Sequence, residues 1–288
     1  MIRRTIGIDL GTSNSAAAVM KEGKIRLVPA AEGPTFYGKM FPSIVAFKED
    51  GEIIVGKAAK DYSYQKPDRT IRWVKRKRGT AYTWTIDGKS YNPQQVSALI
   101  LKKIKQDAET FLGEKIDKAV ISAPAYFNNN QRNATKEAGE IAGFEVLRVV
   151  SEPTAASLAY GLDNVGKNLK IAVLDLGAGT FDVSILQVNN GIFQVMSTSG
   201  DIHLGGKDMD DAILDYLIVE VEKKCGVCLE NDMGNLNKLR DAGEIAKIQL
   251  STELSATINI EVNVNHSNTN VTMNLTRNKL EELIKPQL

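Results

Sequence analysis

Two stretches far apart in this chain spell nearly the same pattern: TIGIDLGTS at 5–13 and IAVLDLGAGT at 171–180. Each is an apolar strand ending in an Asp, followed by a turn of Gly and small hydroxyl residues. The segments after the turns, 16–20 and 181–188, are apolar or alternate with period two, so each copy predicts a β-hairpin rather than a strand running into a helix. A Gly-rich hairpin tip exposes backbone N–H groups with no side chain in the way, which suits an anion such as phosphate. An Asp beside each tip suits a hydrated Mg²⁺ held against those phosphates. Two such hairpins imply a duplicated fold clasping one nucleotide between its halves.

Two commoner phosphate motifs fail. Gly177-Ala178-Gly179 begins like a dinucleotide fingerprint, but its sixth position is Asp182 and a strand follows. Gly88-Lys89-Ser90 ends like a P-loop, but Thr83 stands where that motif needs Gly, so the segment reads as a surface turn. With 36 Lys+Arg against 35 Asp+Glu, bulk charge selects neither nucleic acid nor an anionic membrane. The N-terminus shows no signal-peptide pattern and no segment is long enough to span a bilayer, so a cytoplasmic protein with no membrane or nucleic-acid partner is expected. The run Lys75-Arg76-Lys77-Arg78 resembles a nucleic-acid patch, but Lys77 and Arg78 are expected at the surface. Cys225 and Cys228 have no second pair, and His203 and His266 are remote in sequence. They read as an ordinary helix end capped by Gly226, with a redox or metal role as the alternative. The sequons at Asn133, Asn265, Asn270 and Asn274 carry no weight without secretion.

Short strands are expected at 25–28, 43–47 and 52–55, then a helix from Pro93 to Gly113 with apolar residues at helical spacing. A strand at 119–122, a helix ending at Gly143, a strand at 144–150 and a short helix opened by Pro153 follow. After the second hairpin, helices are expected at 208–224 and 236–250, alternating strands at 257–264 and 270–275, and a last helix from Thr276. This order, β-β-β, α, β, α and the same opening again, is the pattern of duplicated α/β halves.

Five segments in order, IDLGTSNS at 8–15, PAYFN at 124–128, EPTAA at 152–156, 175–182 and GDIHLGG at 200–206, together resemble the ATPase domain of the DnaK-type heat-shock protein 70 chaperones. The resemblance covers essentially the whole chain. It implies an α/β fold of the duplicated actin-like ATPase type, built on a ribonuclease H-like motif, with two lobes around a nucleotide cleft. Lobe I would be 1–168, with its core at 1–35 and 92–168 and a small subdomain at 36–91. Lobe II would be 169–288, with core 169–203, small subdomain 204–275 and the start of a returning helix at 276–288.

The resemblance also assigns roles. Asp9 and Asp175 would hold the hydrated Mg²⁺ and face one another across the cleft, with Asp182 near a monovalent cation, K⁺. Gly11, Thr12, Ser13, Asn14, Gly177, Ala178, Gly179 and Thr180 would line the phosphates of ATP or ADP, joined by Gly205 and Gly206. Lys75 would reach the γ-phosphate and steady the attacking water, stabilising the charge of phosphoryl transfer. Glu152, Asp175 and Thr180 would complete the catalytic set. Glu244, Lys247 and Ser251 share one helical face and would contact ribose and adenine, whereas spacing alone reads as a solvated polar face. Pro124 and Arg132 would relay nucleotide state, although locally they read as a turn Pro and an exposed helix Arg. A J-domain co-chaperone and a nucleotide-exchange factor are the implied partners, and the chain is expected to be a monomer.

The chain departs from the family in places. Ala178 stands where a third glycine is usual, which is unfavourable if that position needs φ > 0 or close approach of a phosphate, and silent if its dihedrals are ordinary. Ser151, Lys207 and Met209 are substitutions in local charge and packing, and the stretch from Lys75 to Pro93 is short. No Gly-Gly-x-x-Arg segment follows the last helix, nor do the rest of lobe II, a hydrophobic linker or a peptide-binding domain, so a truncated ATPase domain is expected, reaching unfolded clients only through the missing C-terminal part. The readings weighed against a slow ATPase are a nucleotide-dependent interaction module with little turnover and a small-molecule kinase of the same fold.

Overall fold

The computed structural model describes residues 4–33, 39–161, 168–189, 192–226, 228–229, 232–264 and 267–288. His266, Asn265 and Val227 lie outside the described residues. In chain order the elements begin with β1 (Arg4–Asp9), β2 (Asn14–Lys21), β3 (Lys24–Leu27), β4 (Phe41–Pro42), β5 (Val45–Phe47), β6 (Ile53–Val55), α1 (Lys57–Tyr62) and β7 (Thr70–Ile71). After a 3₁₀ turn at Val74–Lys77 come β8 (Trp84–Ile86), β9 (Lys89–Tyr91), α2 (Pro93–Leu112), β10 (Ile116–Ala123), α3 (Asn129–Ile141), β11 (Glu145–Ser151) and α4 (Glu152–Gly161). The chain continues through β12 (Leu169–Leu176), β13 (Phe181–Asn189), β14 (Ile192–Asp201), α5 (Gly206–Cys225), α6 (Met233–Gln249), β15 (Ser255–Val264), β16 (Ser267–Thr276) and α7 (Arg277–Ile284).

Both predicted hairpins form. β1 and β2 pair antiparallel with Asp9 opposite Ala16, and β12 and β13 pair with Asp175 opposite Asp182. The main sheet runs β11-β10-β1-β2-β3, with β4 also on β2, and β10 lies parallel to β1 and β11. Period-two alternation puts Ile6 and Ile8 into the core and leaves Thr5, Gly7 and Asp9 on the other face. That core also takes Leu101 and Ile104 from α2 and Ile121 from β10. The helix α2 starts where the sequence placed it because Asn92 and Gln95 form a reciprocal capping box ahead of Pro93, worth about 1 kcal/mol. It stops at Gly113, in the left-handed region. The strands β12, β13 and β14 form a separate antiparallel sheet, and α4 packs on strands of both sheets. Leu174 and Leu176, on the outward parity of β12, are exposed, Leu174 at 69%.

By compactness the chain divides into Met1–Lys60 with Ile71–Leu204, and Asp61–Thr70 with Gly205–Leu288. Compactness is a different property from the lobe boundary that the duplication suggests. The second unit has its own core, in which Ile213 and Leu217 of α5, Leu239 of α6, Ile258 and Val262 of β15 and Leu275 of β16 meet. The segment Asp61–Thr70 belongs to it through the Tyr64 hydroxyl, which donates to Asp241 Oδ2 (2.7 Å), and through Asn237 Nδ2, which donates to the Ser63 carbonyl (3.1 Å).

Several expectations change. The strand expected at 43–47 is broken, because Phe41–Pro42 pairs with β2 and the Ser43 hydroxyl turns to share a buried hydrogen bond with Ser15 (2.9 Å). The ten-residue β14 had no counterpart in the sequence reading, since Ser197-Thr198-Ser199-Gly200 breaks apolar alternation and the strand is held by its ladder to β13. Arg78, expected at the surface, is wholly buried against α3, while Lys77 is exposed with its ammonium 4.9 Å from the Tyr82 ring centre. Gly88 does sit in a tight turn, with Asp87 and Gly88 both left-handed between β8 and β9. Gly226 caps α5 in the left-handed region, and Cys225 and Cys228 are free thiols. Among the described residues no helix is long and apolar enough to cross a membrane.

Candidate functional site

Within the first unit a cavity of about 650 Å³ is lined by both Gly-rich turns. Asp9, Gly11, Thr12, Ser13 and Asn14 come from the first hairpin, and Asp175, Gly177, Ala178, Gly179 and Thr180 from the second, with Lys75 and Glu152 between them. Asp9 and Asp175 thus open onto one space, which is what a shared cation site requires.

Local structure explains each placement. The two turns have the same length, Leu10–Ser13 and Gly177–Thr180. A Cβ on Gly11 would lie 1.9 Å from the Asn14 carbonyl oxygen, and one on Gly179 would lie 2.4 Å from Thr12 Oγ1, so both positions require glycine on space alone. Ala178 is not among the residues with positive φ. Its backbone is one that any L-residue adopts, so the position carries no left-handed strain. Glu152 opens α4 directly after β11. Lys75 sits in the 3₁₀ turn Val74–Lys77, entered through Trp73 at φ 57°, a conformation that costs a large side chain about 1–3 kcal/mol and is held by its surroundings.

The charges are arranged as one cation among carboxylates. Lys75 Nζ donates to Glu152 Oε1 at 2.9 Å, with the two side chains only 5% and 12% exposed. Burial pushes the Glu152 carboxyl up, Lys75 pulls it back, and the charges of Asp9 and Asp175 push it up further. Burial likewise raises Asp175, against Lys75 and with Asp9. Asp182 does not line the cavity. It lies cross-strand from Asp175, almost wholly buried, a like-charge pairing that is unfavourable without a cation. Burial raises its pKa too, opposed by the Tyr126 N–H that Oδ1 accepts at 3.2 Å, while Oδ2 is buried with no hydrogen-bond partner. Tyr126 lies in the segment 124–128, where Pro124 is buried at the end of β10. Arg132, read locally as exposed, is half-buried in the first turn of α3.

Among the described residues no group of three or more His, Cys, Asp or Glu could hold a metal by itself. Two carboxylates opening onto one cavity do fit Mg²⁺, which keeps most of its waters and takes its remaining ligands from phosphate. Sequence reasoning missed Ser122, whose hydroxyl donates to Asp9 Oδ1 (3.1 Å) from the parallel strand β10, and Arg76, whose Nη2 donates to the Gly179 carbonyl (3.1 Å). Arg76 adjoins Lys75 in the basic run, but Ser122 has no local signal.

The remaining candidates belong to the second unit. Gly205 and Gly206 begin α5, with Gly205 as its N-cap in extended backbone. Glu244 and Lys247 are half-buried on α6, and Ser251 is exposed just past its end. Lys247 Nζ donates to Asp210 Oδ1 (2.6 Å) and to the Gly206 carbonyl (3.3 Å), so it braces the start of α5. Burial raises Asp210 to about 6, against Lys247 and with Glu244 and Asp211.

Comparison with known proteins bears on this geometry. Residues 5–288 match the family model described as Hsp70 protein. The chain is 52% identical over 286 residues to the chaperone protein DnaK of Nitrosopumilus maritimus, covering 98% of this chain and 45% of that protein. It is 54% identical over 285 residues to chaperone protein DnaK of Thermoplasma acidophilum and 52% over 285 residues to that of Methanothermobacter thermautotrophicus. Each match covers 98% of this chain, with 46% and 48% of the relative. The chain spans about half the length of the curated relatives it matches.

Proposed function

The chain belongs to the Hsp70 family and has its actin-like ATPase fold, and from that premise we propose that it binds Mg²⁺-ATP and hydrolyses it slowly. The observation that carries this reading is the cavity on which two Gly-rich hairpin turns, two aspartates and the Lys75–Glu152 pair converge.

The backbone N–H groups of 11–14 and 178–180 cradle the phosphates, with Thr12, Asn14 and Thr180 adding side-chain donors, while the Gly177 N–H closes its turn onto the Thr180 carbonyl at 3.0 Å. Lys75 has three N–H donors, of which Glu152 takes one, leaving the ammonium able to bridge a γ-phosphate oxygen and that carboxylate. Glu152, raised by burial, and Asp175 orient the attacking water and accept its proton. Asp9 and Asp175 hold Mg²⁺, which when bound neutralises charge on the β- and γ-phosphates. The partnerless Oδ2 of Asp182 supports a K⁺ beside it. For the second unit we assign ribose and adenine contacts to Glu244, Lys247 and Ser251, and phosphate contacts to Gly205 and Gly206. Pro124 and Arg132 relay nucleotide state, and the hydrogen bond from Tyr126 to Asp182 supports a link from the second hairpin to that segment. The division into lobes at 1–168 and 169–288 is part of the same reading.

In the cell the cycle controls binding of unfolded clients by a segment outside this chain, in the cytoplasm, assisted by a J-domain protein and an exchange factor. Single-turnover hydrolysis tests the proposal: ATP is converted to ADP and phosphate by the unaltered chain, and Lys75→Ala abolishes it. Tight ATP binding without phosphate release would support an interaction module instead, although the ordinary backbone of Ala178 removes one reason for that reading. Phosphate transfer to a small acceptor would support a kinase.

A further inference from the structure

Arg78 is the one member of the basic run 75–78 that the proposed chemistry does not use and that the fold nonetheless takes wholly out of water. Its Nη1 donates to Thr135 Oγ1 at 3.1 Å, and that hydroxyl in turn donates to the Gln131 carbonyl at 2.8 Å. The remaining buried donors, Nε and Nη2, have no hydrogen-bond acceptor. Burial lowers its pKa to about 10, opposed by the charge of Glu152, so the side chain stays a cation at neutral pH. A dry guanidinium with a single neutral partner is costly, and an apolar side chain of the same length would pack there at less expense. Packing therefore gives no reason for a charge at this position.

Position gives one. The Arg78 N–H closes the 3₁₀ turn onto the Lys75 carbonyl at 3.3 Å, so the guanidinium is fixed to the turn that presents Lys75. The cavity walls carry three carboxylates, Asp9, Glu152 and Asp175, against one ammonium. A polyphosphate entering that space meets repulsion from the walls, and a cation set behind them offsets it without occupying room.

We propose that Arg78 is an electrostatic specificity residue, a desolvated cation behind Lys75 whose potential favours the more highly charged nucleotide, triphosphate over diphosphate, without touching it. The inference rests on the nucleotide reading above. Because the guanidinium is out of water, its field is screened less than that of a surface arginine.

Affinity of the full chain for ATP, ADP and adenosine is measured by titration with Mg²⁺ for the unaltered protein, Arg78→Met, Arg78→Gln and Arg78→Lys. Loss of the charge predicts ATP binding weaker by more than about twofold in both neutral variants, a smaller loss for ADP and none for adenosine. Arg78→Lys retains the unaltered preference, and the denaturation midpoint of ligand-free Arg78→Met is no lower than that of the unaltered chain. Equal losses for all three ligands would make Arg78 a packing residue, and ATP affinity within twofold in both neutral variants would remove its role. If the unaltered chain binds none of the three, the nucleotide reading itself fails and this inference with it.

Discussion

Replacing Lys75 by Met removes a charge of the buried pair while keeping most of the side chain's length. Lys75 and Glu152 are 5% and 12% exposed and 2.9 Å apart, so the substitution leaves a carboxylate in a low-dielectric wall beside Asp9 and Asp175. Breaking a buried pair in this way costs about 3–5 kcal/mol, because the surviving charge keeps its desolvation penalty. The cost depends on pH with a definite sign. The folded-state pKa of Glu152 is already above its unfolded value of 4.5, and losing Lys75 raises it further. The native state then holds the proton while the unfolded chain releases it, so stability falls as pH rises above the unfolded value until the folded value is passed. Urea unfolding at pH 8 should show Lys75→Met less stable by about 3 kcal/mol, and at pH 5, close to the unfolded value, by about 1 kcal/mol. Adding Glu152→Gln removes the stranded charge and should return most of the loss at pH 8. A deficit of equal size at both pH values, or no rescue by Glu152→Gln, would show that the stranded carboxylate is not its source.

The Gly-rich turns give a contrast: Gly179→Ala places a Cβ 2.4 Å from Thr12 Oγ1 and should weaken ATP binding at least tenfold by calorimetry, whereas Ala178→Gly should leave affinity unchanged and lower stability by about 0.4–1 kcal/mol. Asp210, raised to about 6 from 3.8, binds more protons in the native state, so it makes stability fall as pH rises between those values by at most about 3 kcal/mol; Asp210→Asn should flatten that window in urea unfolding, and an unchanged slope would refute the assignment. Tyr64→Phe deletes the 2.7 Å hydrogen bond to Asp241 and should destabilise the second unit by about 1.5–3 kcal/mol, seen as faster proteolysis within α6; an unaltered rate would contradict the docking of Asp61–Thr70 there.

Much of the architecture is legible along the chain because its causes are local. The hairpins follow from period-two alternation up to an Asp and a turn whose glycines no other residue could replace at 11 and 179. The helix α2 is announced by Asn92-Pro93 and closed by Gly113, and α5 by Gly226. The turns and their aspartates were legible from the repeat, but Lys75 and Glu152 only through the family resemblance, since neither has spacing of its own that identifies it.

What local pattern cannot carry is pairing across long loops. The strand β14 is too polar to announce itself and exists through its ladder to β13. Ser122 reaches Asp9 because parallel strands 113 residues apart in sequence lie side by side, and Asp61–Thr70 joins the second unit through side chains 174 and 177 positions away. Arg78 is the sharpest case. In the sequence it is one charge in a run of four, indistinguishable from Lys77. Solvent exposure is a property of neighbours supplied by other elements, here α3, and so the chain spelled out the Gly-rich turns and their aspartates while folding alone set which cation stays in water and which is buried against α3.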